Sequence, residues 1–540
     1  MSRSYHLIAD HVTEELVLDL AKLVSFQTIS SADQFARDCR RGASFLRSIF
    51  RRFGAETELL STEGNQNPIV YARFCGLGKP NSKQTILFYG HYDVVSAGSS
   101  EHTWQSDPFT LRKEGGYLYG RGVSDNKGPT LAALYATADV HKAGNLSADV
   151  VFLVEGEEEA GSRGFQSTIR KHRDLIGDVD WILLANSYWL TDEMPCLTYG
   201  LRGVVRARIT VQSDGPDLHS GVDGSRLLDE PMKDLVALLA KLTDGQGKIG
   251  IPRFFDPVRP ITKAGIARYE NVARYLLRQD PTMGSSESLQ ELFKAKWREP
   301  SLTIHRVQQA GLASASIIPH SAHGDISIRL VPNQTTDWVI KALRSYLKSS
   351  FDALNTSNTM KIEIEHCAEP WLGDPLNHVF QVLESAVTEV WASVLQQQPT
   401  THVLRGTEQS RRRSTEAKTR PAPKGPKTPK SPPLTSTVLS ATTTPASPID
   451  DKALENGNGK LPTNTPMRQK PLYIREGGSI PAIRFLEQEF DAPAAHLPCG
   501  QASDSAHLNN ERLRVLNLYN SRKIFQKVFT RLGNSTSKGS

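Results

Sequence analysis

The chain has 540 residues and 38% hydrophobic content, enough for more than one domain and a sizeable buried core. No stretch of about 18 apolar residues occurs, which argues against a membrane span. The formal charge of +6 first points to nucleic acid, but nine basic residues between Arg405 and Lys430 face only Glu408 and Glu416, an excess of seven. The rest of the chain is therefore near neutral, and a nucleic-acid-binding core is not expected.

The start, "MSRSYHLIADHVTEEL", lacks the long apolar core and small-residue cleavage site of a signal peptide. The five cysteines, Cys39, Cys75, Cys196, Cys367 and Cys499, are dispersed without a CxxC pair, as in reduced thiols of a cytoplasmic protein. Next comes a helix around Arg41 to Phe53, with Phe45, Leu46, Ile49, Phe50 and Phe53 at helical spacing and Gly54 as its stop. "QTILFYGH" (Gln84–His91) reads as a buried strand, "KGPTLAALYATADVHKAG" (Lys127–Gly144) as a helix, and Asp149 to Val154 as a second buried strand. A helix near Arg163–Leu175 and the strand "DWILLAN" (Asp180–Asn186) complete an alternation that predicts a mostly parallel α/β sheet.

After "YGLRG" the period changes. Val205, Ala207, Ile209 and Val211 alternate with polar residues, and "DISIRLV" (Asp325–Val331) and "KIEIE" (Lys361–Glu365) do the same. Half-exposed antiparallel strands of this kind, with an amphipathic helix over Trp338–Phe351, predict a smaller α+β domain over 203–366, inserted into a catalytic domain built from 1–202, 367–396 and 471–540. The stretch 397–470 is rich in Pro, Ser, Thr, Lys and Arg and has neither period, so it is expected to be a disordered spacer.

Acidic residues and histidines gather at the predicted strand ends. His91 and Asp93 lie in "FYGHYDVV", Asp125 in "GRGVSDNKG", Glu157, Glu158 and Glu159 in "EGEEEAGS", and His507 in "SDSAHLNNE". Ligands bind beyond the carboxyl ends of strands in open α/β sheets, so these residues are candidates for one site. A divalent metal would offset the repulsion of adjacent carboxylates, and His with Asp/Glu and no thiolate suits zinc or manganese.

In order along the chain, "GHYDVV", "YLYGRGVSDNKGP", "EGEEEAGS", "PCLTYGLRG", "DLHSGV", "SIRLVP" and "REGGSIP" resemble the motifs of the M20 metallopeptidases, the carnosinase-like and Cys-Gly dipeptidase group. "DCRRGA", "WLGDPLNHVFQVL" and "FDAPAAHLPCGQASDSAHLNNERLR" bring the resemblance nearest to the peptidase-like subunits of the fungal glutathione-degrading complex, which partner a glutamine-amidotransferase-like subunit. The resemblance implies a zinc-peptidase-like α/β catalytic domain carrying a ferredoxin-like lid and dimerisation domain, a homodimer, and two metals per subunit. It implies that His91 and Asp125 hold one metal, that Asp125, Glu159 and His507 hold the other, and that Glu158 is the general base. Asp93 would orient His91, and Glu157 would face solvent. The remaining ligand position, usually Asp, falls on Asn186, a neutral and poorer zinc ligand, which implies weaker or more selective binding on the His91 side. His219 would reach across the dimer to the oxyanion, and Arg329, Gly478 and Ser479 would hold the substrate terminus. The implied activity is hydrolysis of small, glutathione-derived peptides. A weakly catalytic scaffold subunit and an acyl-amino-acid amidohydrolase stay open as alternatives.

Overall fold

The computed structural model describes residues 11–79, 83–98, 104–311, 314–395 and 470–534; the expected spacer lies outside them except for Lys470. Two sheets carry the architecture. The larger has nine strands, in the order Glu56–Leu60, Ile69–Phe74, Asp149–Glu155, Thr85–His91, Trp181–Leu184, Ala494–His496, Cys196–Leu201 and Trp371–Leu372, with Leu472–Glu476 pairing Cys196–Leu201 as a branch. Its centre is parallel: Asp149–Glu155, Thr85–His91, Trp181–Leu184 and Ala494–His496 run together. The flanks are antiparallel except for Leu472–Glu476, which runs parallel to Cys196–Leu201, so the sheet is mixed where the alternation of strands and helices predicts a mostly parallel one. Glu56–Leu60 and Ile69–Phe74 are joined by a short connection that holds one 3-10 turn, Glu63–Asn65, in place of a crossover α-helix, and this permits the antiparallel return.

The parallel register decides where the chemistry sits. His91 pairs with Glu155, Tyr89 with Leu184, and Leu184 with His496, so four strands end along one edge. Helices Ala36–Arg52, Gly128–Lys142 and Val515–Gly533 and the chain Phe165–Ile176, broken into two short helices at His172, cover the sheet. All seven residues of Asp149–Glu155 are buried, as expected for a strand packed on both faces.

The second sheet has four antiparallel strands in the order Ser301–Gln309, Ser321–Leu330, Gly203–Gln212, Thr359–Ala368. Val205, Ala207, Ile209 and Val211 point to one face, where helices Pro231–Lys241 and Thr336–Asp352 bury them with Ile326, Ile328, Leu238 and Leu343. The opposite face carries Arg206, Arg208, Ser327 and Arg329. Helices Lys263–Gln279 and Ser286–Arg298, although central in the segment assigned to the smaller domain, pack against Leu472–Glu476 of the larger sheet.

Candidate metal centre and substrate cavity

His91 is the last residue of its strand and is completely buried. Its Nε2 lies 3.0 Å from Asp125 Oδ1, while His507 Nε2 lies 3.0 Å from Asp125 Oδ2 and 3.1 Å from Glu159 Oε1. Two imidazoles thus approach the two oxygens of one carboxylate, the donor arrangement of a bridged two-cation site. His91, Asp125 and Glu159 can each point one ligand atom to within 4.8 Å of the others.

Hydrogen bonds from outside hold this cluster. Asp93 is also completely buried and lies just beyond the strand. His91 Nδ1 sits 3.2 Å from its carbonyl oxygen and 3.4 Å from its carboxylate, leaving Nε2 toward Asp125. The Asp93 carboxylate accepts from Ser30 Oγ at 2.7 Å and from the backbone N–H groups of Glu158 and Glu159 at 3.2 and 3.0 Å. One carboxylate therefore ties the His91 strand to the glutamate turn. Glu511 does the same for Asp125: it accepts from Arg121 at 2.8 Å, Gly122 N at 2.9 Å, Ser124 N at 3.0 Å, Ser124 Oγ at 2.9 Å and Asp125 N at 3.2 Å.

Glu157 does not face solvent. It is 2% exposed and accepts from Asn67 N and Nδ2 and from Arg163, so the three glutamates point three ways. This corrects the sequence expectation: the guanidinium of the partly exposed Arg163 and two amide donors of Asn67 offset the charge of the buried carboxylate.

The electrostatics match a cation-binding role. Burial raises Glu158 well above the ordinary carboxylate range; His91 opposes this, and Glu159, Asp125 and Asp93 add to it. Burial likewise raises Glu159. Hydrogen bonds to Asp125 and then Glu159 push half-exposed His507 up to about 11. Burial opposes charge on His91, yet its bonds to Asp125 and Asp93 raise it well above the usual imidazole value. Asp125 moves the other way: against the effect of burial, its bonds to His507 and His91 hold its carboxyl below the usual carboxylate range. A divalent metal satisfies the same charges, so the donor set fits one.

Asn186 follows the strand Trp181–Leu184, and its Nδ2 lies 3.4 Å from His91 Nε2. Its carbonyl accepts from the buried His496 at 2.7 Å, which fixes the backbone there. The amide thus stands beside the same imidazole nitrogen as Asp125.

Asp125, Glu158, Glu159, Asn186 and His507 line a cavity of about 570 Å³ whose far wall is the four-stranded sheet. There Arg329 Nη1 donates to Ser479 Oγ at 3.0 Å, and Ser479 donates to the Arg202 carbonyl at 2.6 Å. Gly478 also lines the cavity. His219 is absent from the cavity lining; it is exposed on the short strand Leu218–His219, where its Nδ1 accepts from Gly221 N. The structure also brings in Arg206, His366 and Glu476. Burial raises Glu476 to about 7. Glu511 and Ser30 are likewise new. Glu511 lies in the His507 loop, but nothing in the sequence reveals its reach to Ser124.

A profile of peptidase family M20/M25/M40 matches residues 87–419. The "Probable di- and tripeptidase DUG2" of Saccharomyces cerevisiae is 38% identical over 528 residues, covering 96% of this chain and 51% of that protein. This chain thus spans about half the length of that relative. The Cys-Gly metallodipeptidase DUG1 of Candida albicans is 30% identical over 525 residues, 93% of this chain and 92% of that protein. Among solved structures, the dipeptidase Dug1p of Saccharomyces cerevisiae superposes with a TM-score of 0.73 at 25% identity, covering 98% of both chains. Human carnosine dipeptidase 1 gives 0.70 at 25% identity over 97% of both. With the strand-edge cluster of histidines and carboxylates, these matches establish that the chain belongs to the M20/M25/M40 peptidase family.

Proposed function

We propose that the chain is a metal-dependent hydrolase of peptide bonds in small peptides. The observation that carries this reading is the pair of imidazole Nε2 atoms, each 3.0 Å from one oxygen of Asp125, with Glu158 and Glu159 beside them. His91, Asp125 and Asn186 would hold one divalent ion, and Asp125, Glu159 and His507 a second, zinc or manganese. When bound, such ions polarise the scissile carbonyl and make water more acidic. Glu158, buried and raised above the usual carboxylate range, accepts the proton from the attacking water and returns it to the leaving amine. Arg329 takes the C-terminal carboxylate, with Ser479 and Gly478 beside it. Asp93 keeps His91 oriented.

The smaller sheet with its helices acts as a lid and dimerisation domain, and His219 serves the partner subunit's cavity. Substrates are Cys-Gly and related glutathione-derived peptides, a reading supported by the likeness to DUG1, a Cys-Gly metallodipeptidase, and to DUG2, a probable di- and tripeptidase. The amidotransferase-like subunit and the cytoplasmic location rest on the sequence resemblance alone. Chelation of the purified protein should abolish Cys-Gly hydrolysis, and zinc or manganese should restore it. Hydrolysis that persists in the fully chelated protein would overturn the reading.

A further inference from the structure

On the cavity-facing side of the four-stranded sheet, Arg206, Arg208, Arg306 and Arg329 share one face, and they are not treated alike. Arg208 donates to Asp325 at 2.7 and 3.2 Å, and Arg306 reaches the same carboxylate at 2.9 Å. Glu365 pairs with Arg208 at 3.2 Å. The carboxylates on this wall are thereby used by the arginines farther along it. Arg329 has the neutral Ser479 hydroxyl as its hydrogen-bond acceptor, and the Arg206 guanidinium has no hydrogen bond or ion pair among the described residues. Both line the cavity.

The register places these two guanidiniums together. Arg329 pairs with Val204 and Arg206 with Ser327 on the adjacent strand. Directly paired residues share a face, so Arg206 and Arg329 are diagonal neighbours on one face, roughly 7–8 Å apart at their origins and within mutual reach. His366 pairs with Arg206 from the other side and lines the same wall. Burial, then Arg206 and Arg329, lower its basicity. Two like charges left side by side cost energy unless an anion joins them. A simple dipeptide supplies one carboxylate for this wall.

We propose that Arg206 is a specificity-determining residue that selects peptides with an acidic C-terminal residue, aspartate or glutamate. The α-carboxylate meets Arg329 and the side-chain carboxylate meets Arg206. This inference rests on the peptidase reading above and adds, beside Cys-Gly with its single carboxylate, a second and preferred class of substrate for the same cavity.

The test compares Ala-Glu with its neutral isostere Ala-Gln in the metal-loaded enzyme. The wild type should favour Ala-Glu in kcat/KM by about tenfold or more, the range for a hydrogen bond to a charged partner. Arg206→Gln should bring the ratio toward one, and Arg206→Lys, which keeps the charge, should retain part of it. Arg206 is exposed and unbonded, so these variants should fold. A ratio near one in the wild type, or an unchanged ratio in Arg206→Gln, overturns the proposal. Calorimetric binding of free glutamate against free glutamine to the metal-loaded protein reads the same preference without turnover. If neither dipeptide nor Cys-Gly is hydrolysed, the peptidase reading fails. Tighter glutamate binding that is lost in Arg206→Gln then still supports the arginine pair, and equal binding overturns it.

Discussion

The two walls of the cavity are built on opposite principles. On the large-sheet wall, His91 and Asp93 are fully buried, and Glu511 is 1% exposed and accepts from several donors. On the small-sheet wall, Arg206 is exposed and Arg329 is partly exposed, with one neutral partner between them. Groups that do chemistry must be held to fractions of an ångström, and a redundant buried network does that. Groups that recognise must stay unsatisfied until a ligand arrives. Substitutions on the first wall should therefore damage catalysis, metal binding and folding, whereas those on the second should change affinity and preference.

The largest effect is expected at Glu158. Glu158→Gln keeps size but cannot accept a proton, and kcat should fall on the order of 10² to 10⁴-fold with metal content unchanged. Near-wild-type turnover would remove Glu158 as the base. Next is Glu511→Ala, which leaves the buried Arg121 and three backbone donors without their acceptor. Breaking such a buried pair costs about 3–5 kcal/mol, to be read from denaturant unfolding. A loss below about 1 kcal/mol would mean that water replaces the network. On the other wall, Arg329→Gln should raise KM roughly 10 to 100-fold with a smaller change in kcat and little change in stability. An effect confined to kcat would place Arg329 in the chemistry instead. The smallest effect is expected at Asn186, where Asn186→Asp adds a charge beside His91. Affinity for the more weakly held ion should rise by up to about tenfold, or ~1.4 kcal/mol, in a competitive titration. Unchanged affinity would show that the Asn186 side chain is not a ligand.

Much of the large-sheet wall was legible in the sequence, for a physical reason. Buried parallel strands read as apolar runs, and such strands end on a common edge, so the sequence alone gathers His91, Asp93, Asp125 and Glu159. Asn186 was found through a departure from the family motif, not through any local pattern. The supporting contacts were not legible. Ser30 and Glu511 act across 63 and 387 residues of chain, and a single sequence carries no signal of that reach. Glu157 was misplaced because three successive acids read as one repelling cluster, while the turn aims Glu157 at Asn67 and Arg163. On the small sheet, the alternation gave the buried face and placed Arg329 correctly on the other. The unpaired state of Arg206 depends on which neighbours Asp325 and Glu365 choose, and that appears only when the strands are in register.

In the proposed hydrolase, Asp125 sits between two divalent ions. Anomalous diffraction from crystals grown with zinc, with data on both sides of the zinc edge, tests it directly. Two peaks per chain are expected flanking the Asp125 carboxylate, one beside His91 and Asn186 and one beside Glu159 and His507, the first weaker than the second. No peak within bonding distance of Asp125, or a single ion that contacts neither imidazole, would contradict it.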